Sequence, residues 1–426
     1  MISYQEMSKE QLLAEQENLK NAYQEFQKKG LTLNMSRGKP SADQLNLSMS
    51  MLDILKKDDI LIDESGTDTR NYGLLDGIPE AKRLFSQVLN VKPEEIIIGG
   101  NSSLNMMYDT VSRAMFFGFV DSEKPWKDYS NIKFLCPVPG YDRHFAICEL
   151  FGIDMIPIPM TSTGPDMDLV EKYVAEDETV KGIWCVPIYS NPQGITYSDE
   201  TVRRFACMKT AAKDFRIFWD NAYNVHHLTD TPDTLLDLFQ ECKKIGTEDR
   251  VLMFASTSKI SFPGAGIASF AASVRNLEYI KKQMSIQTIG FDKIKQLRHV
   301  KFFQNLAGIE AHMQKHRAIL QPKFDVVLEA LDRELAPLKI ANWNKPNGGY
   351  FISLDTLDGC AKRVISLCKE AGVEMTPAGA TYPYGKDPHD SNIRIAPTYP
   401  PVEELKQAVE LFCICVKLAS VEKLLK

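Results

Sequence analysis

From about residue 80 onward the chain alternates short apolar runs with stretches of helical spacing, and this alternation limits its fold more than any other feature. Ile96–Ile98, Ile132–Cys136, Ile153–Ile158, Gly182–Val186, Phe215–Trp219, Leu252–Ala255 and Ile267–Ala272 read as strands. Pro79–Leu89 reads as a helix with Pro in its first turn, and Asn101 to about Met115 as a helix capped by Asn and Ser. Strands alternating with helices predict an α/β fold with a largely parallel sheet. Ligands of such sheets bind outside the carboxyl ends of the strands. Residues 280–335 read as mostly helical. From Pro337 the pattern becomes strand, helix, strand, helix over 349–354, 358–371, 392–396 and 401–425, a smaller α+β unit. Ahead of the alternation, 5–29 reads as an amphipathic helix ended by Gly30, followed by an extended segment to Pro40.

A chain of 426 residues is long enough for roughly two to three domain-sized units. Its 44% hydrophobic and 25% charged residues are those of a globular protein in water. A net charge of -6 makes no electrostatic case for a nucleic-acid partner. No apolar stretch approaches the ~20 residues that cross a bilayer, and Met1–Glu10 lacks the basic start and apolar core of a leader. Neither a membrane partner nor export is expected. Nine cysteines, without a Cys-x-x-Cys pair and mostly in apolar segments, fit reduced thiols in the cytoplasm.

Chemistry-bearing residues collect at the strand exits. Val251–Gly264 runs from an apolar strand through the hydroxyls of Ser256, Thr257 and Ser258 to Lys259, then to a Pro-Gly break. A lysine there is either a surface amine or a desolvated one able to lose its proton and attack a carbonyl. Phe218–Tyr223 delivers Asp220 at a strand end and Tyr223 three residues later, although such an Asp also serves as a helix cap. Pro187–Gly194 ends in an Asn191-Pro-x-Gly194 turn, which has a purely structural reading too. Ile98–Leu104 turns through Gly99 and Gly100 into a helix start at Asn101 and Ser102, where free N–H groups suit a phosphate.

This set, in this order, resembles the fold type I aminotransferases, which use pyridoxal 5′-phosphate (PLP), over nearly the whole chain. Asp220-x-Ala-Tyr223, Asn191-Pro-x-Gly194 and Ser256-x-Ser-Lys259 carry the likeness. Tyr72–Lys82, Pro139–Phe145 and Asn392–Thr398 are similar to a bacterial subgroup of aspartate aminotransferases, itself related to the aminotransferase-like domain of MocR-type regulators. The resemblance implies a large PLP-binding domain over 49–321 and a small one formed by 1–48 and 322–426. It makes Lys259 the catalytic residue, which carries the cofactor and moves a proton between substrate and cofactor. Asp220 would pair with the pyridine nitrogen, Tyr223 and Asn191 would donate to the phenolate oxygen, and Tyr141 would stack on the ring. Arg394, in a short strand of the small domain, would grip the substrate α-carboxylate, unless it is an ion pair within that domain. Gly38 and Asn191 would also lie near the substrate. Arg37 and Lys39 would touch a substrate carboxylate or stand as solvated loop charges. Tyr72 would reach the phosphate of the neighbouring subunit's cofactor, which requires a homodimer with shared sites.

The chain departs from the family after Lys259. Phe262–Ile267 has no arginine where most members bind the phosphate. Gly100, Asn101, Ser102, Ser256, Ser258 and the neighbour's Tyr72 are expected to hold it instead. For a second substrate carboxylate, Lys293, Lys295 and Arg298 lie in about the right stretch but read equally as a solvated helix face. His226-His227 points to opposite sides of an element and lacks a third ligand, so no metal is expected. The expected reaction is ping-pong transfer of an amino group from L-aspartate to a 2-oxo acid such as 2-oxoglutarate. Alanine or an aromatic amino acid as donor, or a β-lyase activity, needs the same constellation. A PLP-sensing regulator needs a DNA-binding domain ahead of this one, and about one helix precedes Asn34. A nucleotide-binding oxidoreductase needs more glycines than Gly264-x-Gly266 supplies.

Overall fold

The computed structural model describes residues 2–426. Its largest sheet has eight strands, in spatial order 96–98, 268–271, 251–256, 216–220, 180–185, 133–138, 154–161 and 164–165. The five strands from 251–256 to 154–161 run parallel, while 268–271 is antiparallel to both its neighbours, so the sheet is mixed. Every residue of 96–98, 180–185 and 216–220 is buried. Apart from the buried Lys181, Arg216 and Asp220 they are apolar, because helices cover both sheet faces. The expected large α/β sheet is therefore present, with strand 96–98 as expected and the bounds of the others moved by one to three residues.

The helical stretch at 280–335 is three helices, Val274–Gln287, Lys293–Phe303 and Leu306–Glu334. Asp292 accepts from Lys295 N and Asn305 from Gly308 N, and these caps start the second and third. Between the first two, a Cβ on Gly290 would fall 2.5 Å from the Gly73 carbonyl, so the chain passes through a contact only glycine allows. The N-terminal helix is Lys9–Lys28, shorter than expected because Ser8 and Gln11 form a capping box.

The second body of structure joins both chain ends. Strands 341–343, 352–356 and 392–395 form an antiparallel sheet, and 33–34 pairs with 373–374. The Val402–Leu424 helix packs against Lys9–Lys28 and Leu306–Glu334. One apolar cluster draws on Tyr4 to Met35 and Leu320 to Val421, and meets the large sheet through Val186, Ile188, Tyr189, Tyr223 and Leu228. Two others fill the two faces of the large sheet.

Candidate active site

A cavity of about 640 Å³ opens at the carboxyl ends of the parallel strands. Ser102, Tyr141, Asn191, Asp220, Tyr223, Ser256, Ser258 and Lys259 line it from the large sheet, and Arg37, Gly38 and Arg394 from the second body. With Lys39, which also lines it, twelve residues singled out in the sequence converge, although they span Arg37 to Arg394. Gly100, Asn101 and Tyr72 are not among the lining residues. The Asn101 side chain turns away to donate to the Pro263 carbonyl at 3.1 Å, while its own carbonyl accepts from Ser258 Oγ at 3.2 Å. Tyr72 stands 78% exposed on a loop outside its own chain's cavity.

Asp220 is buried at the end of strand 216–220 and caps no helix. Its Oδ2 lies 3.2 Å from His144 Nε2, and the His144 ring stacks on Trp184 at 4.4 Å, so the carboxylate has one fixed orientation. Its Oδ1 is buried without a hydrogen-bond partner. A buried carboxylate oxygen left unpaired is costly, and its natural complement is a cationic N–H. Sequence reasoning missed His144. Its signal was spacing, since it follows Tyr141 by three residues on the helix Asp142–Phe151 and so shares a face with it.

Lys259 is half-buried and lines the cavity beside Tyr223, whose ring centroid lies 5.0 Å from Nζ. Desolvation lowers its amine below the usual lysine range, and the Asp220 charge opposes this only in part. Burial raises the Tyr223 phenol well above its ordinary value, and raises the Tyr141 phenol to about 12. Both therefore stay protonated donors. The Asn191 carboxamide oxygen accepts from Arg394 Nη1 at 3.3 Å, which leaves its NH2 as the group free to donate. Gly194 sits at φ +68° with Pro346 where a Cβ would go, so the Asn191-Pro-x-Gly turn has a packing reason as well.

At the far side, the helix Ser103–Phe117 begins after Ser102, whose side chain makes no capping bond. The first N–H groups of that helix and the Ser102, Ser256 and Ser258 hydroxyls border one space. No arginine among the lining residues belongs to the segment after Lys259. The helix cations Lys293, Lys295 and Arg298 do not line the cavity either. Lys293 is buried and donates to the Gly73 carbonyl at 3.0 Å, so the solvated reading fails for it too. The cations that do reach the cavity, besides Lys259 and Arg394, are Arg37, Lys39 and Arg143.

Gly38 packs against the far end of the Phe351 ring, where a Cβ would meet Cζ and Cε1 at 2.5 and 2.8 Å. Phe351 in turn lies 4.8 Å beneath the Arg394 guanidinium. Arg394 pairs not within its own sheet but with Asp142, at 2.9 Å.

An amine of reduced basicity, an unpaired buried carboxylate oxygen, an anion seat and a buried guanidinium thus share one cavity. The family model for aspartate amino-transferase matches residues 7–426. The chain belongs to this family. An aspartate aminotransferase of Corynebacterium glutamicum is 44% identical over 421 residues, 99% of this chain and 97% of that protein. A protein of Mycolicibacterium smegmatis is 47% identical over 425 residues, 100% and 99% of the two chains. The solved structure of an aspartate transaminase from C. glutamicum superposes with a TM-score of 0.96 at 44% identity, with 99% of each chain covered. The relation to regulators is present too. The HTH-type transcriptional regulator YdfD of Bacillus subtilis is 22% identical over 284 residues, 66% of this chain and 56% of that protein.

Proposed function

We propose that this aminotransferase binds PLP in the cavity and carries an amino group from L-aspartate to a 2-oxo acid, 2-oxoglutarate, by a ping-pong route. The observation that carries the reading is the pairing, in one cavity, of the Lys259 amine with the unpartnered Oδ1 of Asp220. Those two groups fit the aldehyde and the pyridine nitrogen of PLP, and the hydroxyls of Ser102, Ser256 and Ser258 fit its phosphate. When bound, PLP supplies an aldehyde that condenses with amines and a ring that withdraws electrons.

The chain's own residues do the rest. Asp220, oriented by His144, holds a proton on the ring nitrogen. Tyr223 and the Asn191 NH2 donate to the ring oxygen, and Tyr141 covers the ring. Lys259, neutral at lower pH than an ordinary lysine, would take the proton from the substrate α-carbon and deliver it to the cofactor carbon that receives the amino group, and would run the same transfer backwards for the oxo acid. Arg394 binds the α-carboxylate through its planar fork. The division into 49–321 and 1–48 with 322–426 would bring Arg394 and Gly38 to the site from the second domain, so closure would exclude water. The separate apolar clusters support that division.

Aspartate as donor is supported by surplus positive charge, since Arg37, Lys39 and Arg143 offer a second carboxylate a partner. The names of the similar Corynebacterium proteins point the same way. A homodimer is supported by an exposed apolar patch. Tyr72 and Ile289 are 78% and 60% exposed on two loops that meet where Gly290 packs on Gly73, and Ile286, 89% exposed, lies in the last turn of the adjoining helix Val274–Gln287. Tyr72 would then serve the neighbour's phosphate. Nine free thiols, of which only Cys207 is exposed, suit the cytoplasm.

The test is a panel of amino donors against 2-oxoglutarate, with wild type and Lys259→Ala. Wild type is expected to show a visible absorption band and to prefer aspartate. Lys259→Ala is expected to lose transamination. Undiminished transamination in that variant would sink the mechanism, and equal rates with alanine would sink the aspartate assignment.

A further inference from the structure

Arg394 is not waiting empty-handed. Its Nη1 donates to Asp142 Oδ1 at 2.9 Å and to Asn191 Oδ1 at 3.3 Å, and its Nε to Thr376 Oγ1 at 3.4 Å. Among the described residues Nη2 has no hydrogen-bond partner. Asp142 is the first residue of the helix Asp142–Phe151 and lines the same cavity. A carboxylate ligand thus meets a guanidinium whose charge is already compensated by a carboxylate.

The two partners differ in freedom. The Arg394 side chain is 7% exposed and lies over the Phe351 ring, whereas the Asp142 side chain is 35% exposed. Asp142 can turn into water at modest cost, but a buried Arg394 left unpaired would be strongly unfavourable. Arg37, Lys39 and Arg143 line the same cavity and give a released carboxylate cations to face.

We propose that Asp142 is a resident competitor for the substrate carboxylate. It neutralises Arg394 in the ligand-free enzyme and yields its place when an amino or oxo acid arrives. The consequence is uniform weakening of every carboxylate ligand, which raises KM for donor and acceptor alike. A ping-pong enzyme gains from this, because one oxo acid must leave Arg394 before the next can bind there. The proposal rests on Arg394 being the carboxylate site.

The experiment uses the cofactor-loaded protein and maleate, a dicarboxylate with neither amino nor oxo group, measured by calorimetry. Asp142→Asn keeps size and removes the charge, and Asp142→Ala removes the side chain. Both are expected to bind maleate about tenfold more tightly, and KM for aspartate and 2-oxoglutarate should fall by a common factor. Unchanged or weaker maleate binding in both variants would overturn the proposal and make Asp142 a support for Arg394. Arg394→Ala separates the two claims. If it binds maleate like wild type, the carboxylate site itself is wrong. If it loses maleate while the Asp142 variants do not tighten, only the competitor role falls.

Discussion

Acid should loosen the segment that carries Lys259, and His299 allows the effect to be worked through. The ring is fully buried on the helix Lys293–Phe303. Its Nδ1 lies 2.9 Å from the Lys295 carbonyl, which can only accept, so Nδ1 carries the hydrogen. Its Nε2 lies 2.9 Å from Ser261 Oγ and is left to accept from that hydroxyl. Ser261 follows Lys259 by two residues, so the neutral ring is one anchor of the lysine segment. Burial pushes the His299 pKa from 6.5 down to about 4, against the help of the Lys295 carbonyl. Between those values the unfolded chain holds a proton that the folded chain lacks. The ring's neutral state therefore costs nothing above pH 6.5, and stability is lost as pH falls from 6.5 to about 4. That gap, at about 1.36 kcal/mol for each pH unit, is worth about 3 kcal/mol. At pH 5 the ring should account for about 0.9 proton taken up on unfolding. The assay is proton uptake when the protein is unfolded in urea at pH 5, in wild type and in His299→Gln. The variant should take up about 0.9 proton fewer, with no difference between them at pH 8. Equal uptake at pH 5 would refute the argument.

Two further outcomes follow from the site. Asp220→Asn keeps the shape and the His144 contact but cannot hold a proton on the ring nitrogen. Removing one partner of a buried pair costs about 3 kcal/mol or more, so kcat should fall at least about a hundredfold with the cofactor still bound. A kcat within threefold or so of wild type would exclude the role. Gly38→Ala would drive a methyl into the Phe351 ring, at about 1–3 kcal/mol of overpacking. Because Phe351 supports Arg394, both the melting temperature should drop and KM for amino and oxo acids should rise. An unchanged KM would separate Gly38 from the carboxylate site.

The strand exits were legible because parallel strands covered on both faces are mostly apolar, so a hydroxyl, carboxylate or amine at the end of such a run stands out. Asp220, Asn191, Ser256, Ser258 and Lys259 were all found this way. Strand 341–343 was not, because Ala341, Asn342 and Trp343 are half-buried or exposed and show no apolar run. The breaks inside 280–335 were hidden too, since helical spacing continues across the caps at Asp292 and Asn305. The helix expected from Asn101 starts at Ser103, and the Asn101 side chain donates to the Pro263 carbonyl instead of capping it.

Order along the chain determined which groups stand at the sheet edge, because each follows its own strand by a few residues and needs no distant partner to be there. Pairing was decided only in three dimensions. His144 meets Asp220, Asp142 meets Arg394, and His299, His312 and His316 converge on Ser261 and the Ile260 carbonyl. Such contacts bridge tens to hundreds of residues, from 38 for His299 with Ser261 to 252 for Arg394 with Asp142. Local periodicity reports a residue's own strand or helix. Which opposite charge or lone pair it faces depends on how the sheet and the second body of structure pack, and that packing sets the burial behind the basicity of Lys259 and the orientation of Asp220.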